Sequence, residues 1–188
     1  MQVQVLEGAF ANAPIENAVA FRAAMNALAR PGQIETISGA KPPAPLSVAA
    51  GSLILMLCDA ETPVSLSGSF DTAMIRDWII FHTGAPIVSP DEAVFAIGKW
   101  KSLLPLSQFA IGTAQYPDRS ATLIVECDEL SSQGETLTGP GIKATAQLSL
   151  PDTQTFQHNA KLFPLGLDFF FTSGSQVAAL PRTTKVNR

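Results

Sequence analysis

Three basic side chains stand where the chain leaves a predicted helix or strand. Arg182 follows a predicted buried strand, Arg30 follows a predicted helix, and His82 ends another helix. An arginine beside a strand end could bind a phosphate-like anion through two parallel hydrogen bonds, because ligands of open α/β sheets bind near strand ends. It could equally pair with Asp168, which a predicted hairpin brings near, and we favour this structural role.

His82 and Arg30 also have structural alternatives. The C-terminus of a helix carries partial negative charge, so a cation there contributes about 0.3–1 kcal/mol. A general acid or base at His82 would need a Ser, Cys or carboxylate at a spacing typical of a catalytic triad, and no such spacing occurs. We therefore predict that His82 caps its helix and that Arg30, before Pro31-Gly32, belongs to a helix stop. Arg182, Arg30 and His82 remain candidate anion-binding residues, and no catalytic residue is predicted.

Other patterns that could carry chemistry have simpler interpretations. The segment Thr138-Gly139-Pro140-Gly141 lacks the GK[ST] ending of a phosphate-binding loop, and we predict a tight turn. The six lysines lie in polar or loop-like contexts, with Lys143 the least unfavourable, so none is predicted to form a Schiff base with pyridoxal phosphate. Cys58 and Cys127 lie in apolar runs and are expected to behave as small buried hydrophobic residues. Neither a cofactor nor a metal site is predicted.

The composition narrows the class of protein. Charged residues make up 15% of the 188 residues, against about 25% in an ordinary soluble domain, whereas hydrophobic residues reach 46%. The net charge of −4 and the lack of a basic cluster argue against a nucleic-acid partner. The longest apolar run, over residues 48–58, is too short to span a membrane, and the first ten residues lack signal-peptide features, so we expect a cytoplasmic protein. The low charge content predicts apolar surface that another protein chain covers.

Helical periodicity predicts three helices that would position these side chains. The first spans residues 15–29 and stops at Pro31-Gly32, and the second spans residues 47–57 with Ser47 as its N-cap. The third has Asp71 as N-cap and ends near His82, where Thr83-Gly84 breaks the pattern. The buried face of the first helix is predicted to contain Ala18, Phe21, Met25 and Leu28.

The remaining apolar segments predict strands. They cover residues 33–37, 63–67, 87–88, 94–97, 122–127 and 135–150 with a break at 139–141, whereas residues 100–109 are ambiguous. Residues 167–171 and 177–180 are predicted to form a hairpin around Ser173-Gly174-Ser175. The run Phe169-Phe170-Phe171 is too apolar to face water on either side, and we place it centrally. One domain over residues 1–188 is predicted, an α/β fold with helices packed on a mixed β-sheet.

Seven short segments, in order over nearly the whole chain, resemble one known family. They are Phe21-Arg22 with Ala29-Arg30-Pro31-Gly32, Leu57-Cys58-Asp59-Ala60-Glu61-Thr62-Pro63-Val64, Phe81-His82-Thr83-Gly84-Ala85-Pro86, Gly112-Thr113-Ala114, Leu137-Thr138-Gly139-Pro140-Gly141-Ile142, Phe163-Pro164-Leu165-Gly166-Leu167-Asp168 and Leu180-Pro181-Arg182-Thr183-Thr184. Together they are similar to the H-subunit family of the bacterial carbon–phosphorus lyase system.

The resemblance implies a function and partners. It implies a cytoplasmic assembly, with G, I, J, K and L subunits, that uses alkylphosphonates as a phosphorus source. In that system the G, H, I and L subunits attach the phosphonate to C1 of the ribose of ATP and displace adenine, and the J subunit later breaks the carbon–phosphorus bond. The resemblance also implies the fold of the large domain of pyridoxal-phosphate-dependent transferases without the cofactor, and a homodimer in isolation. It supplies no catalytic residue.

Three functional hypotheses follow. The first is a non-catalytic, structural subunit of the carbon–phosphorus lyase core complex, which supports synthesis of ribose 1-methylphosphonate 5-triphosphate. The second is an enzyme subunit that binds a nucleotide or phosphonate through Arg182. The third is a degenerate transferase-like domain that serves as a binding module. We favour the first, because no nucleophile, metal cluster or positioned base occurs in the sequence.

Overall fold

The computed structural model describes residues 3–187, which form one α/β domain with two sheets. The helices are α1 (Ala13–Ala29), α2 (Val48–Leu57), α3 (Ala73–Thr83) and α4 (Thr153–Lys161). The strands are β1 (Glu35–Thr36), β2 (Val64–Leu66), β3 (Phe95–Lys99), β4 (Thr122–Glu126), β5 (Glu135–Thr138), β6 (Ala146–Leu148), β7 (Asp168–Ser173), β8 (Gln176–Leu180) and β9 (Lys185–Asn187). The predicted α/β class is confirmed. Within residues 3–187, no helix has the length and apolarity needed to span a membrane.

The central sheet has the strand order β1-β8-β7-β4-β3-β2. Strands β2, β3, β4 and β7 are parallel, whereas β8 runs antiparallel to β7 and β1 antiparallel to β8, as the prediction of a mixed sheet requires. The four parallel strands therefore end together, at Leu66, Lys99, Glu126 and Ser173. We call this side of the sheet the C-terminal edge and the opposite side the N-terminal edge.

The three consecutive phenylalanines of β7 lie at the middle of the central sheet, between β4 and β8. Phe170 packs into the layer that contains α1, α2 and α3, and Phe169 and Phe171 pack into the layer that contains α4 and the smaller sheet. All three side chains are buried. The predicted central position is confirmed, because both faces of the sheet are covered.

The start of α3 differs from the prediction by one residue. The N-cap is Thr72, whose Oγ1 accepts a hydrogen bond from the main-chain N–H of Ile75 at 3.3 Å. Asp71, the predicted cap, instead forms an ion pair with Arg76. The end of the helix is as predicted, because Gly84 takes the left-handed conformation with φ of 76°. In α2 the predicted N-cap Ser47 is confirmed, since its Oγ accepts from the N–H of Ala50 at 3.1 Å.

The buried face of α1 is the main error in the predicted elements. The buried residues are small: Ala20, Ala23, Ala24 and Ala27. Phe21 and Met25, predicted to be buried, are 47% and 46% exposed, and Ala18 is also exposed. Leu28, the fourth predicted member, is partly buried against the core. For the other three the periodicity indicated the wrong surface, because the small alanines let α1 approach α2 and β8 closely.

Several predicted strands are shorter than expected. Residues 33–37 contribute only the two residues of β1, and Ile87 forms an isolated bridge to Val64 rather than part of a strand. The ambiguous segment forms two short 3₁₀ turns, Trp100–Leu103 and Leu106–Gln108. The predicted break between residues 135 and 150 is confirmed, with β5 and β6 antiparallel on either side of it.

A second layer of structure was not predicted. Strands β6, β5 and β9 form an antiparallel sheet in that order, and α4 packs beside β9. Helix α4 is amphipathic but mostly polar, with the sequence TQTFQHNAK, so it offers only one large apolar side chain, Phe156, as a signal. Phe156 anchors it, with its ring centroid 4.9 Å from that of Trp100 and 5.0 Å from that of Phe169.

Candidate functional site

Arg182 lies at the N-terminal edge of the sheet. It follows β8, and because β8 is antiparallel to its neighbour β7, the end of β8 lies beside Asp168 at the start of β7. Arg182 therefore does not lie at the carboxyl ends of the parallel strands. Ligands favour the carboxyl ends of parallel strands, which lie on the other side of this sheet.

The Arg182 guanidinium is held by the protein itself. Nε donates to both carboxylate oxygens of Asp168 at 3.2 Å, and the main-chain N–H of Arg182 donates to Oδ1 at 2.8 Å. Nη1 donates to the carbonyl oxygen of Pro117 at 2.7 Å, and Nη2 donates to Ser120 and Asp168. The side chains of Arg182 and Asp168 are only 13% and 25% exposed. The favoured ion pair with Asp168 is present, and most of the donors of Arg182 are already engaged.

His82 is in the last turn of α3, but its ring does not contact the helix end. Its Nε2 lies 3.1 Å from the carbonyl oxygen of Glu7, and its ring packs edge-on against Trp78 and Phe81. The end of α3 is completed by Thr83, whose hydroxyl donates to the carbonyl of Ile79 at 2.7 Å. His82 thus lies in the last turn of α3, as predicted, but its hydrogen-bond partner is the Glu7 carbonyl of the N-terminal segment and not a carbonyl of the helix end.

Arg30 and the glycine turn meet at the end of α1. Arg30 is the C-cap residue, as predicted, and its side chain is exposed. Residues 139–142 form the predicted turn, in which the N–H of Ile142 donates to the carbonyl of Gly139 at 3.2 Å. A Cβ on Gly141 would lie 1.9 Å from the carbonyl oxygen of Ala29, so only glycine permits this close approach. No hydrogen bond or ion pair within residues 3–187 joins Arg182, Arg30 and His82 to one another.

The C-terminal edge holds a polar cleft that was not predicted. The cleft has a volume of about 720 Å³ and lies beside the ends of β3 and β4. Its walls are formed by Lys99, Trp100, Lys101, Glu126, Cys127, Asp128, Glu129, Ser149, Leu150 and Pro151. Lys99 Nζ donates to Asp128 Oδ1 at 2.7 Å, and both side chains are exposed. This is the edge of an open α/β sheet where ligands usually bind.

Glu126 is the buried charge of this cleft. It is only 7% exposed, and its Oε1 accepts a hydrogen bond from the main-chain N–H of Ser47 at 2.7 Å, at the N-terminus of α2. Burial raises the pKa of Glu126, whereas the hydrogen bond from Ser47 and the charge of Lys99 act to lower it. Thr172 lies opposite Glu126 in the register of β4 and β7, and within residues 3–187 its buried hydroxyl makes no hydrogen bond of normal geometry. Glu126 thus links the central sheet to α2 and still faces the cleft.

Lys99 is the lysine whose position most resembles that of a cofactor-binding amine. It ends the buried strand β3. However, its side chain is 56% exposed, and its hydrogen bond to Asp128 raises the pKa of the ammonium group. A Schiff base forms from the neutral amine, which a desolvated site without a carboxylate partner would favour. The surroundings of Lys99 therefore do not fit pyridoxal phosphate.

The cysteines are unsuited to nucleophilic chemistry at neutral pH. Burial raises the pKa of Cys58 to about 12 and, with nearby acidic side chains, the pKa of Cys127 to about 11. Both are free thiols; Cys58 is buried and Cys127 is half-buried. Within residues 3–187, no group of three or more His, Cys, Asp or Glu side chains is arranged to hold a metal ion.

The outward surface of α1 is the main apolar patch on a helix. Ile15 and Val19 are each 62% exposed, and Phe21 and Met25 on the same helix are 47% and 46% exposed. We call these four residues, with Ala18, the outer face of α1; Arg22 is the charged residue among them. Exposed apolar surface of this kind is typical of protein–protein contacts.

Comparison with known proteins identifies the family. The family model described as bacterial phosphonate metabolism protein (PhnH) matches residues 8–187. The chain belongs to the PhnH family. The resemblance carried by the seven segments is thus confirmed.

Two relatives of this PhnH family member have names that describe their roles. The alpha-D-ribose 1-methylphosphonate 5-triphosphate synthase subunit PhnH of Rhizobium meliloti (strain 1021) is 43% identical over 197 residues, an alignment that covers 100% of the chain and 98% of the relative. The putative C-P lyase subunit protein HtxG of Stutzerimonas stutzeri is 29% identical over 175 residues, with 89% of the chain and 84% of the relative covered.

Three of the segments that carry the PhnH resemblance meet in space. Ala29-Arg30-Pro31-Gly32 contacts the glycine turn at Gly141, and a Cβ on Gly139 would lie 3.1 Å from the carbonyl oxygen of Thr183. Gly139 and Gly141 have φ of 140° and 81°, which other residues rarely adopt. These segments thus have a packing role at the junction of α1 with the smaller sheet.

The sequence patterns did not predict the polar residues of the C-terminal edge as site residues. Lys99, Glu126 and Asp128 are charged residues placed at or just after apolar runs, and that pattern is the signal that could have identified them. The pattern alone does not show that these residues share a site, because the register that brings β3 and β4 side by side is a long-range property.

Proposed function

We propose that this chain is a non-catalytic, structural subunit of the bacterial carbon–phosphorus lyase core complex. It supports the transfer of an alkylphosphonate to C1 of the ribose of ATP, a transferase step that precedes carbon–phosphorus bond cleavage. The observation that carries the proposal is the full-length match to a relative named as a subunit of ribose 1-methylphosphonate 5-triphosphate synthase. The chain is proposed to act as one domain over residues 1–188, in the cytoplasm.

The proposed contacts are with protein chains. The low charge content of 15% and the outer face of α1 both favour a role in assembly. We propose a homodimer in isolation, and contacts with the G, I, J, K and L subunits in the complex. Large permanent interfaces often bury more than about 2,000 Å² and resemble a domain core cut in half.

A ligand-binding role for Arg182 is the alternative, with Arg30 and His82 as further candidate anion-binding residues. The contacts of Arg182 argue against it, because Asp168 neutralises its charge and Pro117 and Ser120 take further donors. An incoming phosphate would have to displace a carboxylate that is largely shielded from water. We therefore give Arg182 a structural role.

We propose that the fold is that of the large domain of pyridoxal-phosphate-dependent transferases and that the cofactor is absent. The mixed sheet with a largely parallel order of strands supports the fold assignment. The ion pair between Lys99 and Asp128 supports the second part. Borohydride reduction of purified protein should leave no modified lysine in mass spectra after incubation with pyridoxal phosphate, and a modified lysine would contradict this.

The structural role is tested by adenine release from ATP in a reconstituted complex of the subunits. We expect Arg182→Ala and His82→Ala to leave turnover within about twofold of wild type once assembly is verified, because both side chains are engaged by the protein itself. Lys41→Ala, which removes an exposed cation elsewhere, is the control. Loss of turnover by Arg182→Ala in a fully assembled complex would overturn the structural role and favour anion binding.

A further inference from the structure

The cleft at the C-terminal edge has a buried carboxylate and a charged rim. Its inner wall presents the carboxylate of Glu126, and its rim carries the ammonium groups of Lys99 and Lys101 together with the carboxylates of Asp128 and Glu129. We propose that this cleft binds a phosphorylated ribose, with the sugar hydroxyls at Glu126 and the phosphate at the two lysines.

The inner wall is suited to hydroxyl groups. Glu126 is 7% exposed and forms no ion pair within the described part of the chain, because Lys99 is turned to Asp128 at 2.7 Å. The hydrogen bond from Ser47 occupies Oε1 at 2.7 Å, and the Thr172 hydroxyl beside it has no partner of normal geometry among residues 3–187. A carboxylate at a strand end that accepts hydrogen bonds from ribose hydroxyls is a recurrent arrangement in α/β proteins.

The rim is suited to a phosphate. Lys99 and Lys101 are exposed and flank Trp100, whose ring packs on Phe156 and forms a fixed wall between them. The contact of Lys99 with Asp128 is an exposed ion pair, which contributes little and is readily exchanged for another anion. An uncharged sugar would leave the lysines unused, and inorganic phosphate would leave Glu126 with the donor from Ser47 alone. A sugar phosphate satisfies both.

The choice of ribose rests on the proposed function, because the relative's name specifies a ribose that carries phosphate groups. The binding groups would be shared by a free sugar phosphate and a nucleotide. The cleft volume of about 720 Å³ is ample for either. Ribose 5-phosphate and AMP distinguish the two sources, since only AMP carries a base.

The test is titration calorimetry on the full chain with ribose 5-phosphate, ribose, inorganic phosphate and AMP. We expect ribose 5-phosphate to bind at least tenfold more tightly than ribose or phosphate. Glu126→Gln keeps the acceptor for Ser47. It should weaken the binding of ribose 5-phosphate at least tenfold and have little effect on the binding of phosphate. Lys101→Gln should weaken the binding of both ribose 5-phosphate and phosphate. The matched control Lys161→Gln, at the far end of α4, should weaken the binding of neither.

The outcomes are decisive in both directions. The proposal would be overturned if ribose 5-phosphate did not bind, or if it bound no more tightly than phosphate. It would also be overturned if Lys101→Gln and Lys161→Gln had equal effects on binding. Circular dichroism and the Tm of Glu126→Gln exclude a folding defect; an unchanged affinity of the folded variant for ribose 5-phosphate would contradict the carboxylate side of the site. Assembly with the other subunits is measured separately, so failure of ligand binding in a chain that still assembles would leave the proposed function standing.

Discussion

At the scale of single residues, Arg182 shows how the surroundings of a side chain determine its role. Removal of Arg182 would leave Asp168 as a partly buried carboxylate without its cation and would free the carbonyl of Pro117. We predict that Arg182→Ala lowers the free energy of unfolding by about 2–4 kcal/mol. Urea denaturation would measure this. The double variant with Asp168→Ala should lose less unfolding free energy than the sum of the two single losses. A loss equal to that sum would contradict a coupled pair.

Glu126 gives a residue-scale prediction in pH. Burial raises its pKa in the folded state above the ordinary value of 4.5, so the folded chain holds the proton more tightly than the unfolded chain. The contribution of Glu126 to stability therefore falls as pH rises from the unfolded value through the raised one, and stays low above it. We predict that the Tm of Glu126→Gln minus the Tm of wild type is more positive at pH 8 than at pH 4. Glu129→Gln, on the exposed rim, is the control. If the Tm difference between Glu126→Gln and wild type were the same at pH 8 and at pH 4, the prediction would be refuted.

At the scale of elements, α4 depends on its first turn. Asp152 accepts hydrogen bonds from the N–H groups of Gln154 and Thr155 at 3.0 and 3.4 Å and from the Thr155 hydroxyl. We predict that Asp152→Ala costs about 0.5–2 kcal/mol of unfolding free energy in chemical denaturation. Asp152→Asn should recover most of the loss, because an amide oxygen can still accept. Equal losses in both variants would show that the cap contributes little.

The elements also show what a sequence can and cannot predict. The helices α1, α2 and α3 and the Phe169-Phe170-Phe171 strand were predictable, because caps, breaks and strong apolar runs are local signals. The direction in which α1 faces was not, since the choice between Ala23 and Phe21 for the core depends on how closely other elements approach. The cleft beside Glu126 was missed for a similar reason. It exists only where the ends of non-adjacent strands align.

At the scale of the whole molecule, the outer face of α1 connects composition to function. A chain with 15% charged residues exposes Ile15, Val19, Phe21 and Met25 on one helix, although its core is already filled. Because exposed substitutions usually change stability by less than about 0.5 kcal/mol, a charge placed there should affect assembly and leave the fold intact. We propose that the chain acts by docking to other subunits through this face.

The most direct test is light scattering coupled to size exclusion after coexpression with the G and I subunits. Wild type and the control Ile80→Glu, an exposed apolar residue on α3, should coelute with the partners as one complex. The double variant Val19→Glu, Met25→Glu should elute without them while it keeps the circular dichroism and Tm of wild type. Elution of the wild-type chain without the partners would contradict docking to these subunits. Coelution of the double variant that is as complete as that of wild type would contradict docking through the outer face of α1.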